Sequence, residues 1–231
     1  MHITCYIIIT NTMLDSRKKE KTLIQCDFDG TITEEDVSFI LLDNFAAGDW
    51  RQLLQDYRVG KISVGHLNRE AFAMVKADKK SLLETINGRF KIRVGFHELI
   101  SYCQREGLRF VIVSNGLDFY IDKILKDLGL YDIEVFAAQT YFLPESLHVQ
   151  YIGPDGNILE EGFKDSYVDL FLKSGYQIVY AGNGASDFPA ARRCHHIFAT
   201  SELLANCEEN NIECLAFTDL NDIVKNLEVL L

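Results

Sequence analysis

Ile24-Gln-Cys-Asp-Phe-Asp-Gly-Thr-Ile-Thr33 is the stretch on which the reading of this 231-residue chain turns. Thr22, Leu23 and Ile24 form an apolar approach, two aspartates follow one residue apart, and Gly30 and Thr31 come next. In an extended chain residues i and i+2 share a side, so Asp27 and Asp29 face one way and Phe28 the other, and Gly30 lets the chain turn sharply. Two carboxylates about 5 Å apart repel by roughly 3 kcal/mol at an effective dielectric of about 20. A divalent cation, a lysine or a retained proton must offset that repulsion, and each of these is chemistry rather than scaffolding. Cys26 adjoins the pair but, as an apolar strand residue on the opposite face, reads as a core thiol rather than a nucleophile.

Downstream, residues 34–88 read as helical. Phe39, Ile40, Leu41, Phe45, Trp50, Leu53, Leu54 and Tyr57 recur largely at spacings of three and four, and glycines punctuate the pattern. This predicts a cap of about four helices over 34–89, inserted after the first strand, with Trp50 and the phenylalanines in its interior. From Lys91 the pattern alternates. Helix 95–106 precedes strand Arg109–Val113, which ends in Ser114-Asn115-Gly116; helix 118–128 follows with Asp118 as N-cap, then strand Ile133–Phe136. A β-hairpin is expected over 141–159, with a Gly-Pro-Asp-Gly turn, and Lys164 opens the next helix. Strand Gln177–Ala181 ends in Gly182-Asn-Gly-Ala-Ser-Asp187. Helix 187–193, strand 196–199, helix 201–209, a short strand near 214–216 and helix 219–230 complete the pattern. Alternating strands and helices predict an α/β fold: a Rossmann-like, doubly wound parallel sheet with the helical cap and a small hairpin added. The core is expected to comprise 21–33 and 90–231, with residues 1–20 an N-terminal extension and Met13 the natural start. In such sheets ligands bind beyond the strand carboxyl ends, so Asp27, Ser114 and Asn183 should converge.

The formal net charge of −11, with no basic stripe, argues against a nucleic-acid or anionic-membrane partner. The apolar run Cys5–Thr10 is too short to span a bilayer and has no lysine or arginine before it. Six cysteines without a CxxC pair read as reduced thiols of a cytoplasmic protein. His97, His148, His195 and His196 form no ligand pattern.

Four elements in order now stand out: Asp27-x-Asp29-Gly30-Thr31, Ser114 after an apolar strand, Lys164 opening a helix 19 residues before Asn183, and Gly182-Asn183-Gly184-x-x-Asp187. Together they resemble the haloacid dehalogenase superfamily of phosphohydrolases over about residues 22–229. The resemblance implies an aspartyl-phosphate mechanism in which Asp27 attacks phosphorus and Asp29 is the general acid and base. It implies Mg²⁺ held by the Asp27 carboxylate, the Asp29 carbonyl and the Asn183 side chain. Ser114, Lys164 and the backbone around Asn115 would hold phosphoryl oxygens, with Thr31 and Asp187 as supporting residues behind them. The family usually places an aspartate at position 183. Asparagine keeps the oxygen and removes one negative charge, which weakens Mg²⁺ binding.

A helical insertion directly after the first strand resembles the phosphoserine-phosphatase-like branch. Its members carry a substrate-reading glutamate at the tenth residue counted from the nucleophile; Asp36 stands there in this chain. Cys26–Thr33 with Asp36, Ile92-Arg-Val-Gly-Phe96, Gly116-Leu-Asp-Phe119, the hairpin before Lys164, and Ile197–Ala199 with Leu203, Leu204 and Cys207 resemble the methionine-salvage branch. Members of that branch dephosphorylate 2-hydroxy-3-keto-5-methylthiopentenyl-1-phosphate. Arg93 reads equally as a pocket residue and as a surface arginine before a helix. The expected function is Mg²⁺-dependent hydrolysis of a small phosphorylated metabolite, with Asp36 reading the substrate. Two alternatives stay open: a phosphotransferase or mutase using the same aspartates, and a catalytically weak phosphate-binding regulatory protein, motivated by Asn183. A dehalogenase is disfavoured, because Asp29 supplies the acid that a phosphate leaving group needs.

Overall fold

A strand covered on both faces needs apolar side chains on both, and Leu23, Ile24 and Cys26 are fully buried for that reason. In the computed structural model, which describes residues 21–144 and 146–231, they lie in β1 (Lys21–Cys26) at the middle of the sheet. β1 pairs in parallel with β2 (Arg109–Leu117) on one side and with β6 (Tyr176–Gly182) on the other. β3 (Glu134–Leu143) extends the sheet beyond β2, and β7 (His196–Ala199) and β8 (Leu215–Ala216) extend it beyond β6, all in parallel. β4 (Ser146–Ile152) and β5 (Ile158–Leu159) add an antiparallel edge, so the order is β5-β4-β3-β2-β1-β6-β7-β8. The chain leaves β1 toward β2 and later returns to β1's other side as β6. The switch point therefore lies between β1 and β6, and their carboxyl ends deliver Asp27 and Asn183.

Four helices follow β1 before the chain reaches Phe96: α1 (Val37–Phe45), α2 (Trp50–Arg58), α3 (Val64–Ala73) and α4 (Lys79–Ile86). Each starts where a short polar side chain accepts a backbone N–H that the first turn leaves orphaned. Asp36, Asp49, Ser63 and Asp78 accept from Phe39, Gln52, His66 and Ser81 respectively. Trp50 is buried, with its ring 5.0 Å from that of Phe39, inside this segment. The remaining helices are α5 (Phe96–Glu106), α6 (Asp118–Asp127), α7 (Phe163–Lys173), α8 (Phe188–Ala191), α9 (Ser201–Glu209) and α10 (Leu220–Leu230).

Several expectations change. Asp118 is not an N-cap: β2 runs through Ser114–Gly116 to Leu117, so Leu117 takes the cap position and Asp118 begins the helix. The strand expected at 133–136 extends to Leu143, because β3 changes partner from β2 to the antiparallel β4 along its length. The helix expected at 187–193 becomes a 3₁₀ turn at Ala185–Asp187 followed by the single turn of α8. The readings of residues 1–20, including Met13 as a start, lie outside the described residues. Among the described residues Cys26, Cys103, Cys194, Cys207 and Cys214 are free thiols, and no helix is long and apolar enough to cross a membrane.

Arg93 stays out of the pocket and sits half-buried just ahead of the helix at Phe96, with its side chain turned to the backbone. Its guanidinium donates to the backbone oxygens of Thr31 (2.7 Å), Gly30 (2.8 Å) and Thr218 (2.9 Å). It clamps the loop after β1 to the segment before α10. Three charge-assisted donors cannot be replaced by an aliphatic stem, so Arg93→Met is expected to lower unfolding stability by about 2 kcal/mol. Urea denaturation followed by circular dichroism measures this; an unchanged midpoint would contradict the clamp.

Candidate active site

The ladder between β1 and β6 continues one residue past β1, where Asp27 N donates to Ala181 O at 2.9 Å. The chain then folds tightly. The amides of Thr31, Ile32 and Thr33 all donate to Phe28 O, and Gly30 takes a left-handed φ of 74° that an L side chain rarely adopts. A Cβ there would also lie 2.2 Å from Asn183 Nδ2. Phe28 points into the core, fully buried, as the i/i+2 alternation requires, while Asp27 and Asp29 are buried beside a cavity of about 270 Å³.

Lys164, at the start of α7, reaches Asp27 Oδ1 at 2.9 Å and Asp187 Oδ1 at 2.6 Å, with its side chain 2% exposed. Asp187 is the organiser of this corner. Its Oδ1 also accepts from Tyr180 Oη (2.7 Å), and its Oδ2 accepts from the amides of Asn183 (3.0 Å) and Gly184 (2.9 Å). It shapes the loop after β6 from within and makes no side-chain cap for α8. Burial works against the Lys164 ammonium, but the Asp187 and Asp27 carboxylates outweigh it and hold its pKa above that of a free lysine. Burial pushes the Asp27 carboxyl up to about 7, reinforced by Asp187 and opposed by Lys164. The Cys26 thiol is driven well above its usual pKa by burial first and by Asp27 next, so it stays protonated and is no nucleophile.

Asp29 sits in a different setting. Its Oδ1 accepts from Val37 N at 3.0 Å and its Oδ2 from the hydroxyl of Tyr120, which also contacts Ser38 Oγ at 2.8 Å. Burial and the neighbouring Asp36 raise its pKa well above the carboxylate range. Burial and the Asp29 and Asp36 carboxylates likewise keep the Tyr120 hydroxyl protonated. Asp36 caps α1 through Phe39 N (3.0 Å) and also lines the cavity; burial lifts it to about 6.

Ser114, Asn115, Lys164 and Asn183 line the same cavity. Ser114 Oγ accepts from Gly116 N at 3.0 Å, which leaves its proton free to donate. The Asn115 carbonyl is held by Asn68 Nδ2 (3.0 Å) and Tyr151 Oη (2.8 Å), from α3 and β4. Arg93 is absent from the cavity wall. Ser38, Tyr57, Arg58, Asn68 and Glu202 line it although nothing in the sequence singled them out as site residues. Tyr120 lies within the helix expected at 118–128, where nothing marked it as a site residue. The caps ahead of α1 and α3 were the one local signal for the helix starts that bring Ser38 and Asn68 in.

Among the described residues no group of three His, Cys, Asp or Glu side chains is placed to hold a metal. A different donor set is present. One end of the Asn183 amide lies 2.9 Å from Asp29 O, 3.3 Å from Asp27 Oδ2 and 2.9 Å from Thr31 Oγ1. With nitrogen in that place, it donates to all three. With oxygen there, Thr31 donates to it at 2.9 Å, and it faces two further oxygens with no proton between them. Neighbouring oxygens around an octahedral Mg²⁺ are about 2.9 Å apart, so these residues fit the ion.

Buried carboxylates, a lysine and a hydroxyl meeting at the strand carboxyl ends make this an α/β protein built to handle an anion such as phosphate. Residues 24–192 match the haloacid dehalogenase-like hydrolase family, and the chain belongs to it. It is 28% identical over 216 residues to a "2-hydroxy-3-keto-5-methylthiopentenyl-1-phosphate phosphatase" of Geobacillus thermodenitrificans, covering 91% of this chain and 97% of that one. The protein of the same description from Brevibacillus brevis is 26% identical over 213 residues, covering 90% and 96%. A solved structure described as a phospho-aspartyl intermediate analogue of phosphoserine phosphatase superposes with a TM-score of 0.68 at 22% identity, over 90% of this chain and 99% of that one; it attests the shared fold.

Removing Lys164 leaves Asp27 and Asp187 buried without their cation. Lys164→Met is expected to cost about 3–5 kcal/mol of stability. Guanidinium denaturation reads this directly, and a variant as stable as the wild type would contradict the buried network.

Proposed function

We propose that the chain is a phosphoric monoester hydrolase for a small phosphorylated metabolite, working through an aspartyl-phosphate with Mg²⁺ as cofactor. The observation that carries this reading is the pairing of two buried carboxylates with different partners at one cavity: Asp27 with Lys164, Asp29 with Tyr120 and Val37 N. Residues 34–89 serve as the cap and 21–33 with 90–231 as the core. Asp27 attacks phosphorus through one carboxylate oxygen; Lys164, Ser114 and the backbone at Asn115 hold the phosphoryl oxygens while the ester bond breaks. Asp29 gives its proton to the leaving alkoxide, then takes one from the water that cleaves the aspartyl-phosphate and restores Asp27. Asp187 and Thr31 keep Lys164 and Asn183 in place. The Asp27 carboxylate, the Asp29 carbonyl and Asn183 Oδ1 would hold Mg²⁺, which supplies charge neutralisation and Lewis-acid polarisation of the phosphoryl group.

The names of the relatives support a methionine-salvage ester, and the acidic Asp36 at the tenth position from Asp27 keeps a phosphoserine-like one in view. At about 270 Å³ the cavity lies at the small end for ligand sites, which suits such compact substrates. Asp36 on its wall is the residue assigned to reading the substrate. Free thiols among the described residues support a reducing, cytoplasmic setting.

Asp27→Asn should abolish phosphate release from p-nitrophenyl phosphate and leave no acid-stable label on the protein from a ³²P-labelled ester; labelling at wild-type level would refute the nucleophile. Asn183 favours one competing reading, a weakly catalytic phosphate binder, because its amide nitrogen can close the metal site by hydrogen bonds alone. Restoring the carboxylate in Asn183→Asp removes that option and is expected to tighten Mg²⁺ binding by about tenfold or more, a gain of roughly 1.4 kcal/mol. Titration calorimetry checks it, and an unchanged affinity would remove position 183 from the ligand set.

A further inference from the structure

We propose that Tyr120 is a positioning residue for the general acid: its hydroxyl, oriented by Ser38, fixes the Asp29 carboxyl so that the proton it delivers faces the cavity. The proposal rests on the acid role given to Asp29 above.

With Asp29 ionised, the hydrogen bonds run in one direction. A carboxylate has no proton to give, so Tyr120 donates to Asp29 Oδ2, and Ser38 Oγ, 2.8 Å away, must donate to Tyr120. Val37 N, 3.0 Å from Oδ1, takes a lone pair of the other oxygen. Each carboxyl oxygen is thus engaged by one donor from the protein, and neither donor has an acceptor site free for the acid's proton. While Tyr120 keeps donating to Oδ2, the acid's proton lies on the remaining lone pairs, beside the cavity that Asp29 lines.

A tyrosine that needed only a partner for its proton would be satisfied by Ser38. The surroundings of Tyr120 instead serve the second contact. Its ring is fully buried, edge-on to Phe119 at 5.5 Å and 6.3 Å from Phe28, so the hydroxyl has little freedom. At Gly116 a Cβ would lie 2.2 Å from Tyr120 Oη and 2.4 Å from Asp29 Oδ2. The chain therefore omits a side chain where the Tyr120–Asp29 bond passes. Ser38 comes from α1 and Tyr120 from α6, so the acid is held jointly by the helical insertion and the sheet-flanking layer. An acid free to rotate would spend time with its proton away from the leaving oxygen, and the rate would fall in proportion.

A poor leaving group needs that proton and a good one does not, which separates positioning from mere packing. The Mg²⁺-loaded full chain would be assayed with phenyl phosphate and with 2,4-dinitrophenyl phosphate, using kcat/KM because it excludes the later attack of water. Tyr120→Phe is expected to lower kcat/KM for phenyl phosphate by about 10- to 100-fold and for the dinitrophenyl ester by less than about threefold. Equal losses for both esters, or none for phenyl phosphate, would overturn the proposal. If Tyr120→Phe does not fold, Ser38→Ala decides: a loss confined to phenyl phosphate supports the proposal and any other pattern overturns it. A wild-type chain inactive on both esters would instead refute the phosphatase reading on which the proposal rests.

Discussion

The site depends on one buried ammonium. Lys164 Nζ stands between Asp27 and Asp187, almost wholly buried, and three parts of the fold have to be correct for it to be there. α7 must begin at the right height, β1 must end at Asp27, and the loop after β6 must turn back so that Asp187 meets Tyr180 and two backbone amides. Burying such a cluster is costly, and a hydrophobic replacement of the same shape would often be as stable. Its presence is better explained by chemistry. Asp27 and Asp187 bring two carboxylates against one lysine, and Asp27 is pushed up to about 7 despite its ion pair. The corner is short of positive charge, and a divalent cation at the nearby oxygens would supply it.

The two aspartates of the opening motif are chemically identical and only one residue apart, yet the fold divides them. Asp27 is paired with a cation; Asp29 is paired with neutral donors, and burial first and Asp36 next favour its protonated form. Different surroundings for two carboxyl groups are what an acid–nucleophile pair requires. Asn183 adds a feature that an aspartate would lack. Its amide has two ends, one of which satisfies the neighbouring oxygens by donating to them while the other needs a cation.

Much of the fold was legible because its signals are local or periodic. The parallel strands show as continuous apolar runs, and the crossovers as amphipathic helices. β7 at His196–Ala199 and α9 at Ser201–Glu209 have the bounds that the pattern alone indicates. Where β3 was read too short, the reason is that a strand changing partners keeps no single burial rhythm: its outer half is mostly exposed while its inner half lies in the sheet. Asp118 was misassigned because a cap requires the preceding residue to leave the strand, and only pairing shows that β2 persists to Leu117.

By itself the sequence determined the alternating sheet, the pair of carboxylates on one side of a chain end, and the convergence of Asp27, Ser114 and Asn183 at strand carboxyl ends. Residue type and spacing carry those facts. Only the tertiary structure decided that Arg93 turns to three backbone carbonyls, that Asn183 faces the Asp29 carbonyl, and that Ser38, Tyr120 and Asp29 form one chain of hydrogen bonds. The partners Ser38 and Tyr120 stand 82 positions apart, Asp29 and Tyr120 91, and Thr31 and Asn183 152. No local periodicity connects residues so distant; the packing of α6 and the return of β6 beside β1 bring them together.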